Sequence, residues 1–227
     1  YLDIFFNKIW NHDQKIKNHY LLESKSGYFF KYTVKHEYYH FLIALSSIYE
    51  ISVETLIESM IKFIEKDKDN KFFTYLNNGD IVESFKTREN YIEYLNTSNY
   101  LEYDIIGELS AIPGVVSAKG INYFILRKQT IVLKKALEKE KTKEKYYLEC
   151  LNNENSNYLD QDRDIVILIR EDKYYFPIYR VQKDEKVNKK INLQKFFNQK
   201  GPIEKIIVEL KKYHNKSCKN LLITKLK

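Results

Sequence analysis

The sequence predicts an α+β (α/β) fold, and three observations carry that prediction. Apolar residues at helical spacing alternate with short stretches rich in aromatic and β-branched residues. Two such stretches, 164–169 and 174–181, flank the polar Arg170-Glu171-Asp172-Lys173 and read as a β-hairpin. Charge is unevenly divided: from Lys183 to Lys227 there are 13 lysines and four acids, so a net charge of +7 leaves −2 for residues 1–182. These features divide the chain into an N-terminal helix (1–20), an α/β domain (21–182) and a basic helical extension (183–227).

In chain order, Ile4, Phe5, Ile9, Trp10, Ile16 and Tyr20 follow helical spacing, and Ser24, Ser26 and Gly27 make a turn. Residues 28–34 read as a strand and the apolar run 41–49 as a buried helix. Ser52 caps the next helix, whose buried stripe is Val53, Leu56, Ile57, Met60, Ile61 and Ile64. A polar break spans 66–70, Asn77-Asn78-Gly79-Asp80 forms a turn, and a short strand is expected near Ile81-Val82. Thr87 caps a helix through Leu95, and a helix over 104–112 stops at Pro113-Gly114. Residues 121–126 read as a strand. The charged stretch 127–150, dense in lysine and glutamate after Lys134, reads as a solvated helix or a mobile insertion. Residues 196–213 read as helical around Gly201-Pro202, with the proline opening a second helix.

Composition excludes several classes. Two cysteines, Cys150 and Cys218, cannot build a disulfide framework or a four-cysteine zinc site, and they suit a reducing compartment. The spacing of the six glycines fits neither common glycine-rich phosphate cradle. No apolar run reaches the roughly 18 residues of a membrane span. Tyr1-Leu2-Asp3-Ile4 does not resemble a secretory leader, so an intracellular location is expected rather than secretion. The first residue is not Met, and a segment of a longer protein is expected.

The sharpest local motif is His36-Glu37-Tyr38-Tyr39-His40, an H-E-x-x-H pattern. On a helix, His36 and His40 share a face and can hold one Zn²⁺, while Glu37 activates the metal-bound water. Its flanks resemble those of zinc metallopeptidases. Against it, residues 28–34 are strand-like, Tyr38-Tyr39 do not favour helix, and no third ligand is selected among Glu50, Glu54 and Glu58.

A longer pattern runs through residues 40–49, Glu89-Asn90-Tyr91-Ile92-Glu93-Tyr94-Leu95, Ile106-Gly107-Glu108-Leu109-Ser110-Ala111, the strand 121–126, and the hairpin turn with Lys173-Tyr174-Tyr175. In order and spacing it resembles the ovarian-tumour (OTU) cysteine proteases. The resemblance implies a small central, mostly antiparallel sheet flanked by helices, with a thiolate at a helix N-terminus and a distant histidine as base. Here His40 stands at the nucleophile position, Glu37 near the accompanying aspartate, and Tyr174 at the base position. Both catalytic residues are thus replaced, which implies a pseudoenzyme with neither cofactor nor metal.

Phe29-Phe30-Lys31-Tyr32, Asn77 to Val82, Gly120 to Leu126, Tyr158-Leu159-Asp160 and Tyr174-Tyr175-Phe176-Pro177-Ile178-Tyr179 also resemble a block in giant-virus proteins of the early transcription factor large-subunit type. That resemblance implies a module within a larger viral chain, whose partners are its other domains or transcription proteins, with no membrane contact.

Nucleic acid is a further expected partner, through Lys189, Lys190, Lys211 and Lys212 of the extension. Tyr174, Tyr175, Phe176 and Tyr179 beside Lys173 and Arg180 offer rings that stack bases, although strand alternation turns half of them inward. Three functions stand open on sequence alone: a non-catalytic interaction module, a zinc metallopeptidase, and a nucleic-acid-binding domain.

Overall fold

The computed structural model describes residues 28–35, 38–133, 141–149, 162–183, 191–198, 200 and 204–212. The expected N-terminal helix, the turn at 24–27 and the ends of the extension lie outside these residues. The chain enters as strand β1 (Tyr28–Lys31) and then builds a helical layer. This consists of α1 (His40–Tyr49), α2 (Val53–Lys66), α3 (Lys71–Tyr75), a 3₁₀ turn (Leu76–Gly79), α4 (Asp80–Phe85), α5 (Arg88–Thr97) and α6 (Tyr103–Ala111). Five strands follow: β2 (Ile121–Leu133), β3 (Lys141–Leu148), β4 (Asp164–Glu171), β5 (Tyr174–Lys183) and β6 (Ile191–Gln194). A helix over 204–212, α7, comes last. Among the described residues, no single helix is long and apolar enough to cross a membrane.

The sheet order is β1-β5-β4-β2-β3, with β6 also paired to β5. Only β2 and β4 run parallel, with Ile121 opposite Asp164 and Arg127 opposite Arg170; the other described ladders are antiparallel. The fold is α+β, as the sequence predicts, and the sheet is mixed.

Alternation along each strand divides the core in two. Tyr123, Ile125, Val166, Leu168, Tyr175 and Tyr179 face the helical layer and pack against Phe41, Leu45, Met60, Tyr91 and Ile106. Phe124, Leu126, Ile165, Ile167, Ile169 and Ile178 face the other way, onto Phe29, Phe197, Ile206, Ile207 and Leu210. Both faces of β4 are therefore covered, which explains its continuous apolar run.

The structure corrects three expectations. Ile81-Val82 lies in α4 rather than a strand. Asn77, Asn78 and Gly79 all take positive φ (50°, 56° and 93°) and turn the chain tightly into that helix. The described parts of the stretch 127–150 are not helical: β2 runs on to Leu133 and pairs with β3, Lys141–Leu148. Among the described residues of the extension, 204–212 is helical. Ile191–Gln194 is a strand, and Phe197 exchanges main-chain hydrogen bonds with Ile165 (2.9 and 2.8 Å), completing the sheet.

Candidate functional site

The candidate site lies where the first turn of α1 meets the β4–β5 hairpin. Tyr39 precedes α1 in the left-handed region (φ 53°) and gives no side-chain cap, so the helix opens directly at His40. Phe41 fixes that opening, with its ring 5.0 Å from Tyr103, 5.5 Å from Tyr123 and 5.4 Å from Tyr175, edge-on to each. The adjacent His40 side chain is thereby held against the hairpin, and its ring meets Tyr174 edge-on at 4.8 Å.

His40 is buried, and burial lowers its basicity. The ammonium of Lys173 pushes the same way and the Glu102 carboxylate opposes. The imidazole is therefore held toward its neutral form. Around it lies a cleft of about 30 Å³, lined among others by Tyr39, Tyr100, Glu102 and Lys173. That volume holds roughly one water.

In the cleft wall, Arg170 lies over the Tyr175 ring at 5.3 Å and donates through Nη1 to Glu149 Oε1 at 2.7 Å, with Asp104 at 3.9 Å. Burial raises the Glu149 carboxyl against the pull of Arg170, and it raises the Tyr175 phenol as well. A second polar cluster ties α1 to the residue after β6. Lys195 Nζ donates to Glu50 (2.6 Å) and to the Ser47 carbonyl (3.1 Å), and Ser47 Oγ shares a 2.7 Å hydrogen bond with Tyr179. Burial pushes the Tyr179 phenol up to about 12.

The structure brings together His40 and Tyr174, the two positions singled out by the OTU resemblance. His36 and Glu37 lie outside the described residues, as do Cys150, Cys218, Lys189 and Lys190. A zinc site on His36 and His40 needs both imidazoles on one helical face. The helix begins at His40, after a left-handed Tyr39. Among the described residues, no group of three or more His, Cys, Asp or Glu side chains gathers as a metal cage. Lys211 and Lys212 end α7, where Lys212 pairs with Glu209 at 2.8 Å. Of the hairpin rings, Tyr175 and Tyr179 are buried in the core, and Phe176 lies under the Lys31 ammonium at 4.4 Å.

Sequence reasoning missed the Glu149–Arg170–Asp104 cluster and the Lys195–Glu50 pair. Lys195 is 145 residues from Glu50, and no local pattern marks such a contact.

No family model matches the chain, and no solved structure matches it. Over 219 residues, 96% of its length, the chain is 38% identical to uncharacterized protein R327 of Acanthamoeba polyphaga mimivirus. It spans 14% of that protein. The chain is thus similar, over nearly all its length, to one segment of a much longer giant-virus protein, and this likeness supports a giant-virus origin.

Proposed function

We propose that this chain is a non-catalytic, OTU-like interaction module within a larger giant-virus protein, and that it acts in viral early transcription. One observation carries the scaffold reading: His40 and Tyr174, 134 positions apart in sequence, meet at 4.8 Å where a nucleophile and its base would meet. The chemistry is gone from both positions. An imidazole held neutral and a phenol supply no thiolate, and a 30 Å³ cleft is about a tenth of the roughly 300 Å³ that a small-molecule site begins at. The transcription role rests on the resemblance of the sequence blocks named above to early transcription factor large subunits, and the larger assembly is supported by the short share of the mimivirus relative that this chain spans.

Restoring the missing pair tests the scaffold reading. In His40→Cys/Tyr174→His, the introduced imidazole lowers the thiol pKa, and alkylation by iodoacetamide proceeds well below the ordinary thiol range near 8.5. The single variant His40→Cys alkylates with an ordinary profile. Identical pH profiles for the two variants would mean that the positions are not a nucleophile–base pair, and the scaffold reading would fail. Alkylation is followed by mass spectrometry at position 40, which separates it from Cys150 and Cys218.

A further inference from the structure

The geometry points to the open edge of β2, beyond the end of β4, as a docking site for an extended peptide strand from a protein partner. The site is separate from the His40 cleft and stands whether or not the OTU reading holds. The ladder between β2 and β4 ends where Arg127 faces Arg170, yet β2 and β3 continue as a two-stranded ribbon to Leu133 opposite Lys141. β4 leaves this lane at its turn into β5, where Asp172 takes a left-handed φ of 54°. Among the described residues, the backbone of the six residues from Lys128 to Leu133 is therefore paired on one side only, by β3. Alternate residues of a strand turn N–H and C=O to the same side, so this edge offers main-chain donors and acceptors over roughly 20 Å.

Space and charge select the occupant. A recess of about 880 Å³ lies where β4 ends, and Arg127, Lys128, Tyr147, Glu149, Glu171 and Asp172 line it. That volume falls within the roughly 300–1,000 Å³ of ligand sites. Its charges cancel. Glu171 lies 2.9 Å from Lys31 and 3.8 Å from Lys128, while Arg170 lies 2.7 Å from Glu149 and 3.9 Å from Asp104. Counted with these ion-pair partners, Lys31, Arg127, Lys128 and Arg170 stand against Asp104, Glu149, Glu171 and Asp172, four cations to four acids. A phosphate chain or a lysine-rich segment gains little from so balanced a wall, because each needs a surplus of the opposite charge. A peptide main chain, uncharged and carrying both donors and acceptors, fits it.

Two side chains of the recess suit the same occupant. Glu149 Oε2 is buried and takes no hydrogen bond among the described residues, an acceptor that a partner's N–H would satisfy. Tyr147 is 41% exposed and offers its ring to a partner side chain. The occupant is thus a strand of about six residues with little net charge, held to β2 by main-chain hydrogen bonds.

Amide hydrogen exchange, read residue by residue by NMR, tests the edge first. In the free chain, alternate amides between Lys128 and Leu133 exchange readily, while those bonded to β3 are protected. Peptides are then selected from a displayed library of random heptapeptides, with the unaltered chain as bait. The enriched peptides carry little net charge and, at about 100 times their Kd, slow exchange of the edge amides by about 100-fold. N-methylation at alternate residues of such a peptide abolishes binding, and N-methylation at the residues between is tolerated. Arg127→Gln shifts the selected peptides toward positive charge. The proposal falls if the edge amides are already protected in the dilute free chain, if no peptide is enriched, or if the enriched peptides protect other residues instead. It also falls if the edge amides become protected as chain concentration rises, because a second copy would then be the occupant, or if a DNA duplex protects them. The alkylation test of His40 and Tyr174 does not involve this edge, so the two readings fail independently.

Discussion

His40 is the residue whose surroundings constrain it most. It opens a helix, where the macrodipole disfavours positive charge, and it faces Lys173 and the Tyr174 ring, with Glu102 the nearest opposing group. Its folded-state pKa lies below the ordinary value of 6.5. The unfolded chain therefore binds this proton more tightly, and the stability His40 contributes is present above pH 6.5 and is lost as pH falls through the depressed value. Urea unfolding at pH 7.5 and 5.5 is expected to show a larger loss for the native chain than for His40→Phe, which keeps a ring without a titrating nitrogen. Equal losses would remove His40 from the account. Glu108 and Glu149, both raised by burial, act in the opposite sense and are common to both chains, so the comparison isolates the imidazole.

Among the elements, those with local signals were legible. Ser52 and Thr87 accept hydrogen bonds from the main-chain N–H groups of Thr55 and Asn90 at 3.2 Å, so both helix starts fall where the capping residues place them. The hairpin at 170–173 and the helix ending before Pro113 were legible for the same reason. Two signals misled. The pair Ile81-Val82 is too short to declare a period, and the three left-handed residues before it are stabilised by a contact from afar, the Asn77 N–H donating to Glu108. The ribbon was read from its charge density, although Lys141, Lys143 and Lys145 repeat with a period of two. The meeting of His40 with Tyr174 was legible only through resemblance, because no periodicity links residues so far apart. Turns carry their own requirement. Gly120 has φ of +77°, and a β-carbon there would come within 2.7 Å of the Ala111 carbonyl oxygen. Gly120→Ala is expected to lower stability by about 2 kcal/mol in chemical denaturation, combining backbone strain with that clash. A neutral result would mean that the turn relaxes freely.

At the scale of the whole molecule, the sheet is covered on both sides, and α7 supplies a large part of the second cover. Ile206, Ile207 and Leu210 are each at most 1% exposed, against Phe29, Phe124 and Ile165. The basic C-terminal region is therefore structural as well as charged. Ile207→Ala is expected to destabilise the protein by about 3 kcal/mol through lost burial and the cavity left behind, read as a shift in urea midpoint. A change under about 0.5 kcal/mol, the range of ordinary surface substitutions, would mean that α7 does not pack there.

The pairing of β1 with β5 sets an order of events during synthesis. Tyr28 lies opposite Val181 and Lys31 opposite Ile178, so the first described strand waits for nearly 150 further residues before its neighbour exists. Contacts so distant in sequence close slowly. A ribosome making this chain releases the helical layer well before the sheet can be finished, and the apolar face of that layer stays uncovered in the interval. Nascent-chain chaperones have the most to act on in that window.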